Sequence, residues 1–246
     1  MTLPFRSCIE LSNVLLASRS GFSALTHTSK EVQSIKSLWP RSKVYLNETA
    51  SEKRFKQEAS EYGLLHLAMH AFTDDENPSL SGLIFTENND AEDDVLYSYE
   101  LENMELNAHL AVLSACNTGS GVLKRGEGVM SLARSFREAG VPNIVMSLWQ
   151  ADDEATRMIM ESFYKYLKEG QGKNKALQKA KIDVINSKYK SHPHFWAAFS
   201  LIGDMEQIPT TPESNSLLLI GMLLISLVFL YFLIDRTKRG NLPESN

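Results

Sequence analysis

Ala111-Val112-Leu113-Ser114-Ala115-Cys116-Asn117-Thr118-Gly119 is an apolar run that stops at a cysteine and a turn. A second run, Leu64-Leu65-His66-Leu67-Ala68-Met69-His70, stops in the same way at a histidine. Consecutive apolar residues mark strands covered on both faces, as in a parallel sheet. Side chains alternate along a strand, so His66, Ala68 and His70 share one face, as do Val112, Ser114 and Cys116. In open α/β sheets, sites form at the carboxyl ends of strands. If these two strands are neighbours, a thiol and an imidazole meet there, although 46 positions separate them in the chain. An adjacent imidazole favours the thiolate, which is the nucleophilic form of cysteine. With a free pKa of about 6.5, the imidazole can then protonate a leaving amine. The turns after the strands offer backbone N–H groups to a developing oxyanion. Cys116 is therefore a candidate nucleophile and His70 its candidate base.

Outward from these two runs, strands alternate with helices. Strands are expected at Asn13–Ala17, Lys43–Leu46, Leu83–Phe85, Asn143–Trp149 and His194–Ile202. Val32, Ile35 and Leu38 recur at helical spacing within Ser29–Trp39, and Pro40 stops that helix. Another helix starts with Asn47 or Thr49 as its cap and runs to about Tyr62. Further helices are expected over Tyr97–Leu106, Val129–Glu138, Asp152–Gly170 and Asn174–Ser187, with Gly140-Val141-Pro142 ending the second of these. Ala71–Ser81 reads as a polar loop and Asn88–Asp94 as an acidic turn. The alternation predicts an α/β fold with a mostly parallel central sheet and helices on both faces.

Composition narrows the function. Of 246 residues, 43% are hydrophobic and 22% charged, which allows a sizeable core and excludes global disorder. The net charge of −5, without a basic face, argues against nucleic acid as a partner. Two cysteines, Cys8 and Cys116, cannot make a zinc site, and no Cys-x-x-Cys occurs. Cys8 fits a small buried hydrophobe, and a Cys8–Cys116 disulfide is not expected. His66 reads as a core histidine, and His192 and His194 have no acidic partner nearby to make a metal site. Gly119, Gly121, Gly126 and Gly128 fit neither a P-loop nor GxGxxG, so the segment is a loop beside the nucleophile and no cofactor is expected.

Leu217–Ile234 is eighteen residues without a charge, enough to span a bilayer as a helix. Arg236, Lys238 and Arg239 follow it, with Tyr231 and Phe232 near that end. These residues predict a single-pass membrane protein contacting lipid through 216–235. The basic tail would place the domain outside, whereas the lack of a good signal peptide in Met1–Ala17 would leave it in the cytoplasm. The expected organisation is an N-terminal part of the domain at 1–42, its core at 43–205, a linker at 206–215, the membrane helix at 216–235 and a basic tail at 236–246.

From roughly Lys43 to Asp204 the chain resembles the CHAT family of caspase-like cysteine peptidases. The matching residues are Leu65–His70, Leu113–Gly119, Gly126-Glu127-Gly128 with Leu132-Ala133, and Ala139–Pro142. They continue with Ser147-Leu148-Trp149, Asp152-Asp153, Phe163-Tyr164 and His194–Phe199. The resemblance implies a caspase-like three-layer sandwich and a Cys-His dyad of Cys116 and His70. It implies an oxyanion hole from the backbone N–H groups of Ala71 and Cys116. The family usually has glycine after the histidine. Here Ala71 adds a methyl where the substrate carbonyl approaches, and a positive φ there would strain it. In separase-like relatives an acid matching Asp153 selects Arg or Lys at P1. The alternative for Asp152 and Asp153 is helix capping, and one can cap while the other faces the cleft. Lys124-Arg125 matches a region cleaved in some caspase-like enzymes, but reads better as an ordinary exposed pair. The resemblance thus implies a membrane-anchored cysteine endopeptidase acting on protein or peptide substrates, with regulation from a separate protein partner. The alternative is a catalytically inactive, membrane-tethered interaction module. An α/β hydrolase is disfavoured by the lack of a Gly-x-Ser-x-Gly elbow.

Overall fold

The computed structural model describes residues 8–12, 28–74, 76–86, 93–114, 127–149, 152–187 and 191–208. Its strands are β1 (Cys8–Ser12), β2 (Lys43–Leu46), β3 (Leu64–Ala68), β4 (Ala71–Phe72), β5 (Gly82–Ile84), β6 (Val95–Tyr97), β7 (Leu110–Leu113), β8 (Ile144–Ser147) and β9 (Phe199–Ile202). Its helices are α1 (Thr28–Leu38), α2 (Glu52–Glu58), α3 (Ser98–Glu102), α4 (Glu127–Glu138), α5 (Asp153–Lys168), α6 (Lys173–Asn186) and α7 (Pro193–Trp196). Six strands form one sheet in the order β2-β1-β3-β7-β8-β9. Every pairing is parallel except β8 with β9, which is antiparallel.

Alternation along the strands splits the core into two layers. Leu65, Leu67, Ala111, Leu113, Ile144 and Met146 face one side with Phe55 of α2 and Leu132 and Phe136 of α4. Leu64, Leu110, Val112 and Val145 face the other, with Ile35 of α1, Phe163 and Tyr164 of α5 and Val184 of α6. The strands are apolar on both faces because both are covered. α5 buries Ala155, Ile159, Met160, Phe163, Tyr164 and Leu167 at helical spacing, with acids in its first turn and lysines in its last.

A second sheet of three antiparallel strands, β4-β5-β6, follows β3 directly. The strand expected at Leu83–Phe85 is β5, but β4 falls in the expected loop and β6 ends where a helix was expected to start, because strands of two or three residues are too short to show a period. Three further expectations shift. The first strand is Cys8–Ser12, and the predicted Asn13–Ala17 lies outside the described residues. His194–Ile202 is not one strand: His192 caps a short helix with Pro193 in its first turn, and the strand begins at Phe199. The helix expected to Tyr62 is three pieces, and its regular part is capped by Ser51, which accepts from Arg54 N–H.

The chain divides into Met1–Pro209 and Thr210–Asn246, and all described residues belong to the first unit. Among the described residues no helix is long and apolar enough to cross a membrane. Residues 216–235 lie outside them, as do Lys124 and Arg125.

Candidate active site

The carboxyl ends of β3, β7 and β8 lie side by side along one edge of the large sheet. His70 stands just past β3, with only 1% of its surface exposed. Its carbonyl accepts the Ile84 N–H at 2.9 Å, so the residue is tied to β5 of the small sheet. β7 lies beside β3 with Leu64 opposite Leu110 and Leu67 opposite Leu113, a separation of 46 at each pairing. Ser114 N–H donates to the Leu67 carbonyl at 3.0 Å and carries that register one step further. Cys116 lies outside the described residues.

Ala71 begins β4 opposite Leu83. The bond from Ile84 to His70 makes those two the hydrogen-bonded pair. Ala71 is then in the non-bonded position, with its N–H directed away from β5 at the sheet's edge. Ala71 is 1% exposed and belongs to the same core cluster as Leu83 and Leu96. Its φ is not positive. Among the described residues only Asn47 and Asp94 are non-glycines with positive φ.

Asp152 caps α5, its side chain accepting the Ala155 N–H at 2.9 Å. Asp153 is the first residue of that helix and is partly exposed. The capping role thus falls to Asp152. Trp149, two residues after β8, donates its indole N–H to the His194 carbonyl at 3.1 Å and stacks on that ring at 6.4 Å. This contact holds the β8 turn against α7.

Four polar residues below this edge escape the sequence reading as a set. His66 Nε2 lies 2.9 Å from Glu31 Oε1 and 3.4 Å from Ser114 Oγ, and its Nδ1 lies 3.0 Å from the Tyr164 hydroxyl. His66 is buried, as a core histidine should be, but in company with a carboxylate. The available signal was Glu31 itself, four residues before Ile35 on the apolar stripe of its helix.

Residues 10–204 match the CHAT domain family. The chain belongs to that family. Over 109 residues, 44% of the chain, this CHAT protein is 33% identical to tetratricopeptide repeat protein 28 of Mus musculus, and equally to that of Homo sapiens. It spans only 4% of the length of either relative. In fold, the CHAT protein is similar to the Arg-specific cysteine proteinase gingipain R, with a TM-score of 0.52 at 9% identity. That likeness covers 82% of this chain and 46% of the proteinase. It is also similar to the complex of Porphyromonas gingivalis RgpB pro- and mature domains, at 0.50 and 10% identity, over 82% of this chain and 48% of that one. The CHAT protein thus has an α/β fold similar to that of the gingipain, with a mixed sheet between two helical layers.

Proposed function

We propose that the protein is a membrane-anchored cysteine endopeptidase with Cys116 as nucleophile and His70 as its base. The observation that carries this is the register between β3 and β7. Paired residues differ by 46 throughout, and Cys116 follows His70 by the same 46. In the proposed reaction His70 takes the thiol proton, and the thiolate attacks the scissile carbonyl carbon. The Ala71 and Cys116 N–H groups hold the oxyanion. The C–N bond then breaks as His70 returns the proton to the leaving amine, which leaves a thioester at Cys116. Water, deprotonated by His70, hydrolyses the thioester to a carboxylate and restores the thiol.

Asp153 supports a preference for Arg or Lys at P1, with Asp152 holding the helix start beside it. A relative by fold is Arg-specific. The uncharged stretch Leu217–Ile234 supports anchoring through 216–235, and control by a separate regulatory protein is part of the same proposal. A second reading, an inactive membrane-tethered interaction module, is favoured by the family's missing glycine at Ala71 and by the burial of His70.

Labelling separates the two. In the full-length chain in detergent micelles, iodoacetamide is expected to alkylate Cys116 well ahead of Cys8, and His70→Ala to remove that advantage. Equal rates at the two cysteines, unmoved by His70→Ala, would sink the peptidase. The P1 preference is checked separately with a peptide library. If Asp153→Ala keeps the same basic preference, that assignment goes.

A further inference from the structure

The proposed reaction makes no use of the buried cluster Glu31, His66, Ser114 and Tyr164. Their exposures are 3%, 0%, 2% and 0%, and they come from α1, β3, the end of β7 and α5. Burying a carboxylate against an imidazole is costly, and a well-packed apolar set often replaces such a pair without loss of stability. Stability alone is therefore a weak account of the cluster. A second nucleophile is also excluded by geometry. In a serine relay the acid takes Nδ1 and the hydroxyl takes Nε2. Here Glu31 and Ser114 both converge on Nε2, closed off from solvent. The hydrogen bonds of the ring are those with the Ser114 hydroxyl at Nε2 and the Tyr164 hydroxyl at Nδ1, while Glu31 Oε1 stands 2.9 Å from Nε2 without completing one.

What the cluster does is hold distances. His66 precedes His70 by four residues on the same face of the chain, and Ser114 precedes Cys116 by two. The His66–Ser114 contact sits beside the backbone bond from Ser114 to Leu67, at the last described rung between the two strands. Tyr164 hydrogen-bonds one ring nitrogen and Ser114 the other, with the Glu31 carboxylate close against the second. Tyr164 belongs to α5, whose first residue is Asp153. One imidazole thus touches the helix that carries the candidate specificity acid and links both strands that lead into the candidate dyad. We propose that His66 is a positioning residue, which sets the spacing of the ends of β3 and β7 and through them the approach of His70 to Cys116. This rests on the peptidase assignment above. A misplacement of about 1 Å between reacting groups lowers a rate about a hundredfold, so such a strut has room to matter.

The test uses the full-length chain in micelles and follows Cys116 alkylation by iodoacetamide from about pH 5 to about pH 9, with Cys8 as internal reference. His66→Leu is expected to slow Cys116 about tenfold near neutral pH, per folded molecule, and to shift its profile upward. His66→Gln, which sets an amide nitrogen near the Nε2 position, is expected to recover most of the rate. Ile35→Ala removes apolar packing from the same layer and serves as the purely structural control, expected to lower stability and leave the profile in place. Should His66→Leu not fold, Ser114→Ala carries the same comparison, with Cys116 slowed about threefold. The proposal is overturned if the His66 or Ser114 variant keeps the wild-type rate and profile, or if Ile35→Ala slows Cys116 equally. A wild-type Cys116 no faster than Cys8 removes the peptidase assignment itself, and the strut with it.

Discussion

Ala71 occupies the position where this chain leaves the family's glycine, and its methyl is spent on the core. It lies opposite Leu83 in the buried core, in a backbone conformation open to any residue. Restoring glycine is therefore expected to destabilise the protein by about 1 kcal/mol, through lost burial and added chain entropy. A denaturant titration checks this, and a stabilised Ala71→Gly would show that the methyl is not well packed. Which residues carry information at this scale was uneven. Asp152 as a cap was legible, since an acid just ahead of an apolar-periodic helix has a local job. The partnership of Glu31 with His66 was not, because the two lie 35 positions apart and meet only once α1 docks on β3.

Long elements followed their period and short ones followed their surroundings. α5 and α6 stand within a residue or two of expectation, each having an apolar stripe several turns long. β1, Cys8–Ser12, escaped the sequence reading because it contains Glu10, whereas the more apolar Asn13–Ala17, outside the described residues, drew the expectation. Its place between β2 and β3 is decided by tertiary pairing, which no local pattern encodes. The end of α4 shows the opposite case. Gly140 has φ of 103°, and Val141 N–H reaches back to the Phe136 carbonyl at 2.9 Å, closing the helix. A Cβ at Gly140 would stand 2.7 Å from the Leu106 carbonyl oxygen. Gly140→Ala is thus expected to cost about 1–2 kcal/mol, visible as a lower denaturation midpoint. An unchanged midpoint would mean that the Leu106 turn yields freely.

The first unit is closed at its far end by one charged clasp. Lys173, buried at the start of α6, donates to Asp204 at 2.6 Å, while Asp204 N–H donates to Asn143 Oδ1 at 2.7 Å. The Lys173 ammonium first, then the Glu206 N–H and Asn143, hold the Asp204 carboxyl down to about 2 from its ordinary 3.8. A carboxyl depressed by folding stabilises the native state above its unfolded pKa and loses that contribution as acid protonates it. Melting temperature is therefore expected to fall as pH drops from about 4 towards about 2, and less steeply in Asp204→Asn. At neutral pH that variant should lose about 1 kcal/mol, a small figure because Asp204 is half exposed. Identical acid limbs for the two proteins would discount the clasp. The overall architecture was legible from the buried strands and the matched motifs. The order of strands was not, since β1 and β9 are placed by partners far away in the chain. At the candidate base, Ile84 donates its N–H to the His70 carbonyl. The hydrogen on that one amide is therefore a clock: the rate at which it trades with solvent deuterium counts how often β5 lets go of the residue that the proposed chemistry needs held still.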